Sequence, residues 1–275
     1  MDLTNPAHLK VALRLAGIKA NKGLGQHFLA DRDSVEAVAD AAGVTKGDEV
    51  LEIGPGLGVL TQALLARGAR VTAVETDPAL AELLRRDAPA ELTVVEEDFM
   101  RYDLGQLPAG YKVAANIPYY LTGKIFRLLL ESANPPSVMS LLVQKEVAER
   151  VTARPGGMSV LAVSVQYYGR PELVRVVGRE LFVPPPKVDS AILRVAAIGP
   201  AFPANVTKLF RLVKAGFGER RKQLKNSLAG GLGRTVAEAA ALIAAAGLPV
   251  AARAQELSLD DWRRLYEAAA AEAFL

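Results

Sequence analysis

Cysteine is absent from the 275 residues, and His8 and His27 are the two imidazoles. The first absence excludes disulfides, thiolate-bound zinc, iron–sulfur clusters and thiol nucleophiles. With two histidines a His-based metal site is not expected either, so the sequence points to no metal. No uninterrupted apolar run approaches the ~20 residues that a membrane helix needs. The first residues, Met1-Asp2-Leu3-Thr4-Asn5-Pro6, lack the basic-then-apolar order of a secretory signal. The expectation is a soluble, cytoplasmic chain, working as a monomer and away from membranes.

Net charge is also small, at +3, but it is unevenly spread. Up to Gly199 there are 22 Lys and Arg against 23 Asp and Glu; from Pro200 onward there are 11 against 7. The C-terminal part is therefore the half suited to a polyanion, although a solvated basic helix face has the same composition. A chain of this length forms one large domain, or a large and a small one, and buries a full core without staples. A shift to Ala-rich helical composition after Gly199-Pro200 divides it into 1–199 and 200–275.

Among the features present, 49–53 (Glu49-Val50-Leu51-Glu52-Ile53) is a buried-strand pattern that runs straight into Gly54-Pro55-Gly56-Leu57-Gly58 and then a helix over 59–66. Strand, glycine turn and helix make a nucleotide-binding unit, because the glycines let backbone N–H groups come close to a ligand. A dinucleotide fold wants G-x-G-x-x-G. Here Gly58 comes one position early and Val59 stands where the third glycine belongs. The spacing suits S-adenosylmethionine, which has no pyrophosphate to cradle; alone it would also suit a plain tight turn. A second strand, 70–74, ends at Glu75, where a carboxylate can accept from both ribose hydroxyls of a nucleoside. A third, 92–95, leads to Asp98, placed to accept an adenine amine.

A fourth strand, 111–115, runs into Asn116-Ile117-Pro118-Tyr119. Pro118 cannot donate to a sheet ladder and biases its predecessor away from helix, so the strand ends here. Asn116 is thereby set at a carboxyl tip, where ligands of open α/β sheets bind. The exocyclic amine of a purine is a poor nucleophile, because its lone pair is delocalised into the ring. The Asn116 amide oxygen and the Pro118 carbonyl can accept its two N–H bonds and favour a pyramidal nitrogen. Tyr119 can hold the base by stacking, worth roughly 1–3 kcal/mol. Phe182 precedes the stiff run Pro184-Pro185-Pro186, which would present it across the site from Tyr119. Its other reading is a core plug beneath that loop.

The remaining pattern gives a helix over 8–17, a polar Gly- and Lys-containing loop over 19–29 in which Lys22 could meet phosphate, and a helix over 34–42 capped by Asp31 or Asp33. Ambiguous 158–168 reads as helix, and 172–177 with 190–195 as an antiparallel pair. Ser258 with Asp261 forms a capping box for the last helix. From Lys208 to Lys225 there are seven basic residues and one acid. Arg220, Arg221, Lys222 and Lys225 are the candidates for RNA phosphate contact.

In order, Gly25-Gln26-His27-Phe28-Leu29, Glu52 to Gly58, Glu75, Glu97-Asp98, Asn116 to Tyr119, 182–190 and 220–228 resemble the KsgA-type ribosomal RNA adenine dimethyltransferases. The resemblance implies a doubly wound, mostly parallel, seven-stranded Rossmann-like sheet with a small C-terminal helical domain. It implies S-adenosylmethionine as cofactor, with contacts at His27, Leu29, Gly54, Gly56, Glu75, Asp98 and Asn116, and catalysis by Asn116, Pro118, Tyr119 and Phe182. The implied reaction is dimethylation of N6 on two adjacent adenosines in the 3′-terminal hairpin of 16S rRNA, within a small-subunit precursor. Many members carry Asn where this chain has His27. A non-catalytic RNA-binding protein that kept the scaffold is the alternative; the intact glycine turn, Glu75, Asp98 and Asn116 weigh against it.

Overall fold

A run of β-rich and helical segments in alternation can bury its strands on both faces by winding them into one mostly parallel sheet, and the chain does so up to Gln144. The computed structural model describes 1–275 except Lys19, 21–24, Arg220, Ala273 and Leu275. In order the elements are α1 (Pro6–Leu15), β1 (Phe28–Leu29), α2 (Arg32–Ala41), β2 (Glu49–Ile53), α3 (Val59–Ala66), β3 (Arg70–Glu75), α4 (Pro78–Arg86) and β4 (Leu92–Glu96). Then come β5 (Lys112–Asn116), α5 (Thr122–Leu130), β6 (Val138–Gln144), α6 (Lys145–Val151), α7 (Val160–Tyr168), β7 (Arg170–Val177), β8 (Phe182–Val183) and β9 (Ser190–Ala196). Four helices follow: α8 (Val206–Gly216), α9 (Leu224–Leu232), α10 (Val236–Ala245) and α11 (Leu259–Ala271), the last two separated by a short turn at Ala254–Glu256.

The seven-stranded sheet has the order β4-β3-β2-β5-β6-β9-β7. β2 pairs in parallel with β3 and β5, and β5 with β6, whereas β9 runs antiparallel to both β6 and β7. From β2 the chain steps outward through α3 and α4 to β4. It then returns to β5 and steps the other way through α5. Right-handed crossovers in opposite directions put α3 and α4 on one face and α5 on the other. The carboxyl ends of β2 and β5 flank the point where the direction reverses, the place where such sheets open a ligand crevice. The doubly wound α/β architecture read from the sequence is the one observed.

Local chemistry fixes the element ends. Asp31 caps α2, accepting from Ser34 N at 2.9 Å and Ser34 Oγ at 2.6 Å, which settles the choice between Asp31 and Asp33. Asp77 caps α4 with Pro78 opening it, and Ser258 with Asp261 forms the expected capping box on α11. The ambiguous 158–168 is helical: Ser159 accepts from Ala162 N, and Ala162, Val163, Val165 and Tyr167 are buried. Against the sheet, Val50, Val71, Ala73, Ala114, Leu142 and Ile192 share one apolar core with α2 and α3. The loop expected over 19–29 contains a two-residue strand, β1, paired antiparallel with β8.

The residues pack as two compact units, Met1–Ala148 with Arg170–Ile198, and Glu149–Gly169 with Gly199–Leu275. The first carries the sheet. Inside the second, Tyr167 meets Phe202 and Phe210 edge-on with ring centroids 5.0 and 5.9 Å apart, and its hydroxyl donates to the Phe202 carbonyl at 3.1 Å. That packing explains why 149–169 belongs with the helices that follow Gly199. Gly216 makes room there for the buried Trp262, since a Cβ would lie 2.6 Å from the indole. Among the described residues no single helix is long and apolar enough to cross a membrane.

Candidate active site

A cavity of about 430 Å³ opens at the sheet's reversal point, lined by the turn after β2, the ends of β3 and β5, and residues 25–29. Its floor follows from three glycines. Gly54, Gly56 and Gly58 have φ of +66°, +60° and +79°, in the left-handed region that disfavours side chains. Gly56 also lies under Phe28, whose ring would stand 2.9 Å from a Cβ. At Gly54 nothing lies within 4 Å of that position, so the backbone there is bare to the cavity.

Two buried carboxyl groups stand behind the turn. Glu75, 4% exposed at the end of β3, accepts from Gly56 N at 3.1 Å and from Asp77 N at 2.9 Å. Burial raises its pKa, and the Asp77 and Gly56 N–H groups pull against that rise. Glu52 accepts from Thr61 Oγ1 at 2.6 Å. Burial pushes it to about 8; the Thr61 hydrogen bond opposes this and the negative charge of Glu75 adds to it. Glu52 is thus largely a neutral acid at pH 7, which relieves repulsion so close to Glu75.

Asn116 closes the opposite wall. Its Nδ2 donates to the His27 carbonyl at 2.9 Å, and its Oδ1 has no partner among the described residues. His27 Nδ1 donates to the Pro184 carbonyl at 2.8 Å, and the imidazole lies near-parallel to Tyr119, 18° between planes and 6.0 Å between centroids. Tyr119 Oη and Ser190 Oγ are hydrogen-bonded at 2.6 Å, with Ser190 fully buried on β9. The Pro118 carbonyl accepts from Leu121 N at 3.0 Å, closing a tight turn and keeping its second lone pair. Asp98 accepts from Met100 N at 2.9 Å through one oxygen only.

Of the residues singled out from the sequence, His27, Leu29, Gly54, Gly56, Glu75, Asp98, Asn116, Pro118 and Tyr119 come together on this cavity. Phe182 does not line it. It is 2% exposed, opposite Leu29 in the β1–β8 ladder, within the core. The ladder turns the ring inward, so the core-plug reading describes its place, and His27 is the ring found beside Tyr119. Lys22 and Arg220 lie outside the described residues. Arg221 and Lys222 are exposed and Lys225 half-buried at the start of α9, with Lys222 paired to Glu219 at 2.7 Å. Ser190 and Tyr120 were not singled out. Ser190 reaches Tyr119 across 71 residues of sequence, a distance over which local pattern carries no signal.

The residues present fit a nucleoside-bearing cofactor without phosphate. The bare Gly54 backbone offers room for close approach, Glu75 is a carboxyl acceptor at the end of β3, and among the described residues the wall carries no cluster of cations for a pyrophosphate.

Comparisons with known proteins agree with this geometry. The profile of the family described as ribosomal RNA adenine dimethylase matches residues 17–271. A ribosomal RNA small subunit methyltransferase A from Dehalococcoides mccartyi is 42% identical over 257 residues, covering 90% of this chain and 88% of the relative. One from Desulfitobacterium hafniense is 38% identical over 272 residues, covering 97% and 98%. Among solved structures, the 23S rRNA methyltransferase ErmE superposes with a TM-score of 0.72 at 31% identity, covering 88% of this chain and 98% of its own. A dimethyladenosine transferase from Plasmodium falciparum shares the fold, with a TM-score of 0.77 at 24% identity and coverage of 90% and 98%.

Proposed function

The chain belongs to the ribosomal RNA adenine dimethylase family, and from that premise we propose that it transfers methyl groups from S-adenosylmethionine to N6 of two adjacent adenosines in the 3′-terminal hairpin of 16S rRNA, two to each base. The names of the curated relatives at 38–42% identity support the small subunit as the substrate's source. The reading takes the enzyme as a cytoplasmic monomer that meets its RNA in a small-subunit precursor, with Arg221, Lys222 and Lys225 on RNA phosphates.

The observation that carries the proposal is the Asn116 amide, whose nitrogen is committed to the His27 carbonyl and whose oxygen is left as an acceptor at the cavity wall. The cofactor, when bound, supplies an electrophilic methyl on a sulfonium sulfur. Gly54 and Gly56 would let it approach the main chain, Glu75 would accept from its ribose, and Asp98 from its adenine amine. His27 and Leu29 would flank it. On the substrate side, Asn116 Oδ1 and the Pro118 carbonyl accept the two N–H bonds of the target amine, which draws its lone pair out of conjugation. Tyr119 holds the base plane. The target adenosine must leave its stack to reach these groups. A sulfide is a good leaving group, so no strong base is required. Placement and fixed dipoles provide most of the rate.

Transfer of tritiated methyl groups to small subunits that lack these modifications tests the reading, followed by mapping of the labelled nucleotides. The expected label is on two neighbouring adenosines near the 3′ end of the small-subunit rRNA. Label confined to large-subunit rRNA, or no label, would contradict it.

A further inference from the structure

Next to Tyr119 in the chain, Tyr120 does the opposite of its neighbour. Tyr119 is tied inward to Ser190, whereas Tyr120 is 59% exposed at the lip of the same cavity, and its hydroxyl has no partner among the described residues. The ring is thereby presented to solvent at the mouth of the site, where a flat base could stack on it. Gly25 is its neighbour on one side: at φ +63° it presents no side chain there, and a Cβ would already stand 3.4 Å from Tyr120 Cε1. One helical turn further on, Lys124 lines the cavity as well, exposed and with no ion pair among the described residues. Lys124 and Met100 also line a second depression of about 600 Å³ along α5, so the two hollows adjoin at these residues. An aromatic ledge beside the target position, a cation one turn away and a second hollow beyond it suit a nucleic-acid strand rather than a small cofactor.

We propose that Tyr120 is a stacking platform for the nucleotide adjoining the target adenosine, and that Lys124 takes the phosphate between them. The inference rests on the rRNA adenosine reading above and extends it to the neighbouring base. With two adjacent adenosines as targets, the purine awaiting its turn is the one that stacks on Tyr120. The ledge then favours a substrate with a purine beside the flipped base, because stacking strength follows ring size.

The test is steady-state methylation of undermethylated small subunits by wild type, Tyr120→Ala, Tyr120→Phe and Lys124→Gln, with S-adenosylhomocysteine affinity measured on each. Tyr120→Ala should raise KM for the subunit about five- to hundredfold, the range base–aromatic stacking gives, with kcat within about twofold. Tyr120→Phe should stay near wild type, because the ring and not the hydroxyl does the stacking. Lys124→Gln should reduce the slope of log KM against log salt by about one. S-adenosylhomocysteine affinity should not change in any of them. An unaltered KM in Tyr120→Ala, a Tyr120→Phe as impaired as Tyr120→Ala, or a parallel loss of S-adenosylhomocysteine affinity would each overturn the platform. Wild-type activity on the same particles is the separate check on the rRNA reading: if wild type methylates them and Tyr120→Ala is unchanged, only the platform fails. If wild type does not, both fail.

Discussion

The side-chain amide of Asn116 is held by the main chain of His27, Nδ2 to carbonyl oxygen at 2.9 Å, although the two are 89 residues apart in sequence. The contact selects one face of the amide, because the donor end is occupied and the acceptor end is left for a ligand. The His27 imidazole has separate duties, donating to the Pro184 carbonyl and lying beside Tyr119. His27→Ala should therefore keep the Asn116 hydrogen bond and lose the brace on Tyr119. The expected result is about a tenfold fall in kcat, since small misplacements of positioned groups are expensive in rate. His27→Asn should recover part of it by restoring a donor to Pro184. Steady-state kinetics of the two variants check this; equal loss in both would assign the effect to the ring alone.

Ser190 and Tyr119 should behave as one unit. With both groups buried or half-buried, removing either oxygen strands the other, at a cost of about 1–3 kcal/mol. Ser190→Ala and Tyr119→Phe should each lower kcat/KM severalfold, and the double variant should be little worse than either. A double-mutant cycle measures the coupling, expected at about 1 kcal/mol. Strict additivity would mean the 2.6 Å contact has no part in holding the ring.

Gly54 and Gly56 separate cofactor binding from folding. Both need positive φ, so alanine at either is strained by about 1–2 kcal/mol. At Gly56 the added methyl also meets the Phe28 ring, whereas at Gly54 it enters open cavity. Gly54→Ala should melt only a few degrees below wild type and lose most S-adenosylhomocysteine affinity; Gly56→Ala should be the less stable protein. Thermal denaturation with and without S-adenosylhomocysteine distinguishes them, and a Gly54→Ala stabilised as well as wild type would contradict the assignment.

Glu52 gives the ligand-free protein a pH dependence of stability. Its pKa rises from 4.5 to about 8 on folding, so between those values the folded state holds more protons than the unfolded one. Stability must then fall as pH rises through that window. Glu75, also raised, acts in the same direction. Glu52→Gln should match wild type near pH 4 and melt higher by pH 8, with a shallower but not flat profile. A melting-temperature difference that does not depend on pH would rule out Glu52 as its source.

Much of this is legible in the sequence alone. Strand, glycine turn, Glu75, Asp98 and the Asn116 tip are local patterns whose spacing fixes where each lies on a parallel sheet, and the cavity gathers them. Capping residues such as Asp31 and Ser258 are legible for the same reason: they act within three residues. Contacts between distant segments are not. The β1–β8 ladder pairs Phe28 with Val183 and Leu29 with Phe182, distant segments too brief to show alternation, and it is what buries Phe182. The Tyr119–Ser190 bond and the placing of Gly25 beside Tyr120 are likewise products of the assembled fold. The membership of 149–169 in the helical unit depends on Tyr167 finding Phe202 and Phe210, which composition does not announce.

Single-turnover methyl transfer by Asn116→Ala, with cofactor and undermethylated small subunits both saturating, tests the central claim most directly. The account predicts S-adenosylhomocysteine affinity within about threefold of wild type and a chemical rate lower by about 10²–10³, the usual consequence of deleting one fixed polar group aimed at the reacting centre. A variant that binds cofactor and transfers methyl at the wild-type rate would contradict it.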